Sequence, residues 1–242
     1  MADAGSNPAA ISQAMAPTSA TPAPPGVTGT IVPRRSIDAA ATSAGSGATS
    51  PTEYNENANS TIDDLAQAAV DLAAFVKALR RVDTADADPR PRGARGGPLA
   101  DLDRVVRRSI AELGDRIDGR AALRAWEESL NASKWDGEDV WVHGDLLPGN
   151  LLVVDGHLSG VIDFGCLNVG DPACDLQPAW NVFADDNRAR YRAELQADDA
   201  SWLRGRGWAL FQAVVALPYY WDTNPGMVRQ ASNALAQVLA DG

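Results

Sequence analysis

From about residue 60 to the end of the chain, apolar residues recur at the spacing of an α-helix. The first such stretch follows Ser60 and Asp63, which are spaced like a capping box that satisfies free amide groups in a first helical turn. Its apolar face consists of Ile62, Leu65, Ala69, Leu72, Val76 and Leu79. The same periodicity predicts further helices over 99–117, 123–130, 172–183, 188–196, 199–217 and 226–240.

Between the two groups of helices, the pattern changes to short apolar runs typical of β-strands. Val140–Val142 and Leu151–Val154 are two such runs, and a third covers 158–162. The last two flank the pair Asp155-Gly156, which suits a two-residue hairpin turn because both residues tolerate positive φ. We therefore expect a mostly α fold with one small β-hairpin, of the α+β class.

Residues 1–60 differ in composition from the rest of the chain. They consist mainly of Ala, Ser, Thr, Pro, Gly and Asn, and no aromatic residue precedes Tyr54. Neither periodicity persists there, so little apolar surface is available to offset the ~1–2 kcal/mol that ordering each residue's backbone costs. We predict two regions: a disordered or low-complexity segment over 1–60 and a helical domain over 61–242.

The overall composition narrows the classes of protein to consider. A net charge of −11 argues against nucleic-acid binding, which relies on clustered Lys and Arg. The N-terminus lacks the basic and apolar regions of a signal peptide, and no apolar run reaches the ~20 residues that span a bilayer. The two cysteines, Cys166 and Cys174, are too few for a disulfide scaffold or a structural zinc site. We expect a cytoplasmic protein with reduced thiols and neither a membrane nor a nucleic-acid partner.

Polar residues flank the predicted hairpin on both sides. Asp145 and Asn150 stand before its first strand, and Asp163 follows its second strand. Because a hairpin returns on itself, the three side chains should lie near one another. Asn150 and Asp163 offer oxygen ligands of the kind that Mg²⁺ prefers alongside phosphate oxygens, which leaves Asp145 to orient and deprotonate a hydroxyl. Phosphoryl transfer requires this division of roles, because its catalysis rests on positioning and charge neutralisation.

The residues around these side chains match known motifs in order and spacing. H-G-D-x-x-x-x-N spans 143–150, I-D-F-G spans 162–165, and G-D-P-A-x-D-L spans 170–176. The first two are similar to the catalytic and metal loops of protein kinases. With Gly144 in place of the kinase Arg, and with the third block, the chain resembles the aminoglycoside phosphotransferase family of small-molecule kinases. The resemblance covers residues 61–242, which would be the larger lobe of a protein-kinase-like fold.

The resemblance implies a role for each motif residue. Asp145 would be the catalytic base, Asn150 and Asp163 would bind Mg²⁺, and ATP would be the phosphate donor. His143 would hold the catalytic loop rather than exchange protons, and Asp175 would brace that loop from the following helix. The acceptor would be a small-molecule hydroxyl. Relatives phosphorylate aminoglycosides, macrolides, amino-alcohols or sugars, so the acceptor and the choice of ATP or GTP stay open.

A group of carboxylates falls where the C-terminal helices of this family form the acceptor site. The five positions are Asp185, Asp186, Glu194, Asp198 and Asp199. A polycationic acceptor would favour carboxylates there, although charged residues on helical faces are usually only solvated. The sequence leaves two interpretations open: a site for a cationic acceptor, or a solvated surface.

Members of the family also have a smaller N-terminal lobe, a twisted β-sheet with a phosphate-contacting Lys. Here the first Lys is Lys77, within a predicted helix, and residues 1–60 are too few and too polar for such a sheet. We therefore expect a kinase lobe impaired by the missing sheet, or a non-catalytic remnant that binds acceptor or a partner protein through the exposed lobe interface. Residues 1–60 could also come from a gene model read in a shifted frame. A scaffold without site ancestry does not explain the three motif blocks.

Overall fold

A computed structural model describes residues 62–241, so the predictions for the segment before residue 62 lie outside the described range. Within that range the chain is mostly helical with two small antiparallel sheets, which confirms the predicted fold class. The α-helices are α1 (Leu65–Leu79), α2 (Asp103–Leu113), α3 (Gly119–Asn131), α4 (Pro178–Asn181), α5 (Asp185–Glu194), α6 (Asp199–Tyr220) and α7 (Pro225–Ala240). The strands are β1 (Val140–Val142), β2 (Leu151–Val154), β3 (His157–Val161) and β4 (Asn168–Gly170).

Helix α1 begins at a different cap from the one that the sequence predicts. The predicted capping box included Ser60, which lies outside the described residues. The observed N-cap is Asp64, whose side chain accepts a hydrogen bond from the backbone N–H of Gln67 at 2.9 Å. The backbone N–H of Asp63 instead donates to the carbonyl of Gly156 at 2.9 Å. Asp63 therefore joins the start of α1 to the turn of the hairpin.

Helix α6 forms the centre of the core because it carries apolar residues on nearly every face and is buried along most of its length. It packs against α2, α3, α7 and the 3₁₀ segment Pro172–Leu176. Glycines permit this close packing, since a Cβ at Gly205 would lie 2.5 Å from Leu176 Cβ and one at Gly207 2.6 Å from Leu99 Cδ1. Neither α6 nor any other helix within residues 62–241 is long and apolar enough to cross a membrane.

The two sheets place the motif residues side by side. Strands β2 and β3 form the predicted hairpin, with φ of 49° at Asp155 and 78° at Gly156. Strand β1 pairs with β4, so that Val142 lies opposite Asn168. The loop that follows β1 and the turn that follows β3 therefore lie at the same edge of the molecule.

Candidate active site

A buried histidine holds the loop that follows β1. The Nδ1 atom of His143 accepts a hydrogen bond from the backbone N–H of Asp145 at 3.2 Å, so the ring proton must reside on Nε2, which donates to the carbonyl of Ile162 at 3.1 Å. The ring packs edge-on against Phe164, with centroids 4.7 Å apart. Loss of solvent on burial lowers the pKa of His143 to about 4. His143 is therefore a neutral link between the two halves of the site.

A second buried residue, Asp175, fixes the backbone of the same loop. Its two carboxylate oxygens accept hydrogen bonds from the backbone N–H groups of His143 and Gly144, both at 2.8 Å. Burial raises the pKa of Asp175 to about 6, against the opposing effect of these two N–H donors and of Arg80. The Tyr191 hydroxyl donates to the backbone carbonyl of Asp175 at 2.8 Å. The segment after β4 thus braces the loop, the position that the sequence predicts for Asp175.

Gly144 occupies a position in the loop that a residue with a side chain would not fit. Its φ is +77°, and a Cβ there would lie 2.6 Å from Arg95 Cβ and 2.9 Å from the carbonyl of Cys166. The space beside Gly144 is therefore filled by the side chain of Arg95, which comes from a distant loop.

The carboxylate of Asp145 is held by three side chains. Its Oδ1 accepts a hydrogen bond from Gln212 Nε2 at 3.0 Å and lies 3.7 Å from Arg95 Nη2, while Oδ2 accepts one from Asn150 Nδ2 at 3.1 Å. Desolvation raises the pKa of Asp145; Arg95 opposes this rise, and the negative charge of Asp163 adds to it. The side chain is still 22% exposed. A fixed, partly desolvated carboxylate therefore faces solvent-accessible space.

Asn150 and Asp163, the predicted metal ligands, lie on adjoining segments. The backbone N–H of Ile162 donates to the carbonyl of Asn150 at 2.9 Å. The amide nitrogen of Asn150 donates to the carbonyl of Asp145 at 2.7 Å, which leaves the amide oxygen of Asn150 for a ligand. Asp163 adopts the left-handed conformation (φ 62°, ψ 68°), which is uncommon for a residue other than glycine. The turn thus presents the Asp163 carboxylate next to the loop that follows β1.

Asn150 and Asp163 suit Mg²⁺, which water and substrate help to coordinate, better than a metal ion whose ligands all come from the protein. Among residues 62–241, no group of three or more His, Cys, Asp or Glu side chains could hold a metal ion. Mg²⁺ is commonly bound by one or two carboxylates together with waters and substrate phosphates. The amide oxygen of Asn150 and the carboxylate of Asp163 supply hard oxygen donors of this kind, so the residues present suit Mg²⁺ with a bound nucleotide.

Two residues of this site, Arg95 and Gln212, belong to none of the sequence motifs. Arg95 is buried; its guanidinium lies 5.0 Å from the ring centroid of Phe211 and faces Asp145. It lies in an arginine-rich loop with no strand or helix period, and Gln212 is one polar residue within the long apolar run of α6. Neither residue therefore stands out from its neighbours in the sequence. The one sequence clue to Arg95 is Gly144, which leaves room beside the Asp145 carboxylate.

The five carboxylates for which the sequence left open an acceptor site or a solvated surface lie away from Asp145. Glu194 pairs with Lys77 at 3.0 Å, Asp199 pairs with Arg192, and Asp198 caps α6. Asp185 and Asp186 form the first turn of α5. None of the five lines the cleft next to Asp145. Their placement favours the solvated-surface interpretation.

His157 and the two cysteines are the remaining residues considered for chemistry. His157 is exposed at the hairpin. Cys166 and Cys174 are free thiols, and burial raises the pKa of both. Thiols with a raised pKa are poor nucleophiles at neutral pH, because little thiolate is present.

Comparison with solved structures identifies the fold. The GDP complex of aminoglycoside 2'-phosphotransferase-IIIa is 16% identical to this chain with a TM-score of 0.52, covering 77% of this chain and 66% of that one. The GDP and kanamycin complex of APH(2")-IIia is 17% identical with a TM-score of 0.53, covering 77% and 67%. A macrolide 2'-phosphotransferase type I is 20% identical with a TM-score of 0.46; the match covers 81% of this chain but only 64% of that one. The chain thus spans about two thirds of the length of these structures.

Comparison with family models gives the classification. The model described as the phosphotransferase enzyme family (APH) matches residues 9–209, and the match begins before the described residues. No curated protein sequence matches significantly. The family model covers most of the chain and includes all three motif blocks. The chain belongs to the phosphotransferase enzyme family.

Proposed function

We propose that this chain supplies the catalytic lobe of a kinase that transfers the γ-phosphoryl group of ATP to a hydroxyl of a small molecule. The observation that carries the proposal is the convergence of Asp145, Asn150 and Asp163 around one loop and one turn. Membership of the phosphotransferase enzyme family supports it. Because the related structures include GDP complexes, GTP is the second donor to test.

Asp145 has the position and environment of a catalytic base. An acceptor hydroxyl would give its proton to the Asp145 carboxylate as its oxygen forms a bond to the γ-phosphorus. The bond from that phosphorus to the bridging oxygen breaks, and the nucleoside diphosphate leaves. The raised pKa of Asp145 makes it a stronger proton acceptor than a solvated carboxylate. Gln212 and Asn150 hold one oxygen each, which fixes the carboxylate in one orientation.

Asn150 and Asp163 would hold Mg²⁺ through the amide oxygen and the carboxylate. Bound Mg²⁺ would neutralise negative charge on the phosphate oxygens. His143 is neutral and buried, and both of its ring nitrogens are engaged, so its role is to join the loop to the turn. Asp175 performs the same task for the loop backbone.

We further propose that this chain on its own transfers phosphate slowly. Within residues 62–241, the strands form only the two small sheets described above. No larger sheet in that range lies against the turn that carries Asp163. Lys77, the first lysine of the sequence, pairs with Glu194 of α5. Since phosphoryl transfer depends on positioning the nucleotide, a lobe that contacts it from one side only should be a weak catalyst.

Nucleotide binding gives the first test. Mg·ATP and Mg·GTP would be titrated by calorimetry into the full chain, the Asp163→Asn variant and the Asp155→Asn variant. Asp155 is a matched control, because it is also an aspartate with positive φ but lies exposed in the hairpin turn. We expect Asp163→Asn to weaken binding at least about tenfold and Asp155→Asn to leave it unchanged. Equal affinities for all three proteins would refute the metal assignment.

Transfer itself gives the second test. Phosphorylation of a panel of hydroxyl compounds would be followed by ³¹P NMR for the wild-type chain and for Asp145→Asn. We expect slow transfer that Asp145→Asn abolishes while nucleotide binding persists. Transfer that survives Asp145→Asn would refute the assignment of the base. Fast transfer by the wild-type chain alone would refute the proposal of slow turnover.

A further inference from the structure

A cavity lies next to the arginine-rich loop over 90–98, which carries the Arg95 side chain to Asp145. Its walls come from Gly96 and Gly97 of that loop, from the C-terminal end of α3 and from α6. The free space is about 160 Å³, and part of the wall is exposed to solvent. The lining includes none of the residues assigned to catalysis or metal binding, so this cavity is separate from the candidate active site.

Apolar side chains form much of the cavity surface. They belong to Pro98, Leu99, Leu130, Ala132 and Trp135. An apolar cavity of about 150 Å³ accommodates a single benzene ring. Contact with such walls removes the surface of the ring from water, which favours binding. The size and the lining therefore suit a ligand with one six-membered ring.

The charged residues of the lining leave an excess of one positive charge. The Arg204 guanidinium pairs with Asp171 at 2.6 Å, and Arg90 pairs with Asp139 at 3.1 Å. The remaining charged residue is Lys134, whose side chain is exposed and has no hydrogen bond or ion pair within residues 62–241. Three cations therefore face two carboxylates, in a chain whose net charge is −11.

Arg90 has donors that its own contacts do not use. Its Nη1 atom donates to the Asp139 carboxylate and to the carbonyl of Val169, which ties the arginine-rich loop to β4. The Nε and Nη2 atoms make no hydrogen bond within the part of the chain that the structure describes. A carboxylate can accept two parallel hydrogen bonds from one guanidinium group. Arg90 and Lys134 therefore offer charged donors to an anionic ligand.

We propose that this cavity binds a small monocarboxylate, with its single ring against the apolar walls and its carboxylate paired with Lys134 and Arg90. Asp136 and Glu138 follow Lys134 in the sequence, but they are exposed and lie outside the lining, so solvent screens their charges. The ring would fill the space against the two glycines and so hold the loop that carries Arg95. The site is additional to the proposed kinase function.

Benzoate and benzylamine test the charge preference, because each has one aromatic ring and their charges are opposite at neutral pH. Their affinities for the full chain would be measured by ligand-observed NMR without nucleotide. We expect benzoate to bind at least about fivefold more tightly than benzylamine, with neutral benzyl alcohol between them. Equal binding, or tighter binding of benzylamine, would overturn the inference.

The two lysines of the chain provide matched variants. Lys134→Gln removes the excess charge of the cavity and should reduce the preference for benzoate to below about twofold. Lys77→Gln makes the same change of charge on α1, where Lys77 pairs with Glu194, and should keep the wild-type preference. A preference that persists in Lys134→Gln would place benzoate elsewhere and contradict the assignment.

A filling substitution and hydrogen exchange locate the bound ring. Ala132→Leu occupies part of the cavity and should weaken benzoate binding at least about threefold, whereas Ala111→Leu, exposed on α2, should not change it. Benzoate should also slow amide exchange in the loop over 90–98 but not in the hairpin strands β2 and β3. Undiminished binding to Ala132→Leu, or slower exchange in the hairpin alone, would show that the ring binds at another site.

Discussion

Replacing His143 with glutamine should change the way in which the stability of the protein depends on pH. In the folded protein, burial lowers the pKa of His143 to about 4, whereas histidine in an unfolded chain titrates near 6.5. As the pH falls below ~6.5, the unfolded chain therefore takes up a proton that the folded protein cannot accept. The stability linked to this residue is complete above pH ~6.5 and is lost progressively down to pH ~4.

The size of this effect follows from the two pKa values. Between pH 8 and pH 5, the free energy of unfolding should fall by about 2 kcal/mol because of His143 alone. Asp175 acts in the opposite direction, because its pKa is raised to about 6 and the folded protein takes up its proton first. That contribution offsets about 1 kcal/mol over the same range. Comparing the wild type with His143→Gln isolates the contribution of His143, because Asp175 is present in both proteins.

Urea unfolding at pH 8 and pH 5, in EDTA so that no metal contributes, would measure the effect. The free energy of unfolding should fall by about 2 kcal/mol more for the wild type than for His143→Gln. His157→Gln is the matched control, because His157 is the chain's other histidine and is exposed. It should retain the wild-type profile. Parallel profiles for the wild type and His143→Gln would refute the conclusion that the buried ring is neutral.

Three further substitutions probe the contacts around the site. Arg95→Met removes the charge that lowers the pKa of Asp145, so the rising limb of kcat/KM against pH should move to higher pH; an unmoved limb would contradict this. Gly144→Ala should destabilise the protein by more than about 2 kcal/mol in urea unfolding, because its Cβ would lie 2.6 Å from Arg95. Gly93→Ala, also at positive φ but with its nearest contact at 3.9 Å, should cost less; equal costs would rule out the steric explanation. The buried Arg204 guanidinium pairs with the buried Asp171 carboxylate at 2.6 Å. Arg204→Met leaves Asp171 unpaired and should cost about 3–5 kcal/mol, whereas a cost below about 1 kcal/mol would show that the pair is solvated.

The sequence alone predicted the parts of the fold that depend on neighbouring residues. The apolar period predicted α1 and α7, because one helical face must be buried whatever it packs against. Asp155-Gly156 predicted the hairpin, since the turn depends on the φ that those two residues adopt. The spacing of the motif blocks also identified the residues that the hairpin would bring together.

Helix boundaries were harder to predict from the sequence than the positions of the helices. The helix predicted over 172–183 is a 3₁₀ segment, Pro172–Leu176, followed by the short helix α4. The backbone of Asp175 departs from helical geometry (φ −88°, ψ 15°), and its side chain accepts a hydrogen bond from the backbone N–H of His143 in the loop that follows β1. Local helical preference is overridden there by a contact with a residue 32 positions earlier.

The sequence by itself therefore determined the fold class and the identity of the motif residues, because both follow from local spacing. Only the tertiary structure revealed that β1 pairs with β4, that Arg95 fills the space beside Gly144, and that Gln212 holds Asp145. Each of these depends on contacts between residues far apart in the chain, and the period of hydrophobic positions carries no information about which distant side chains meet.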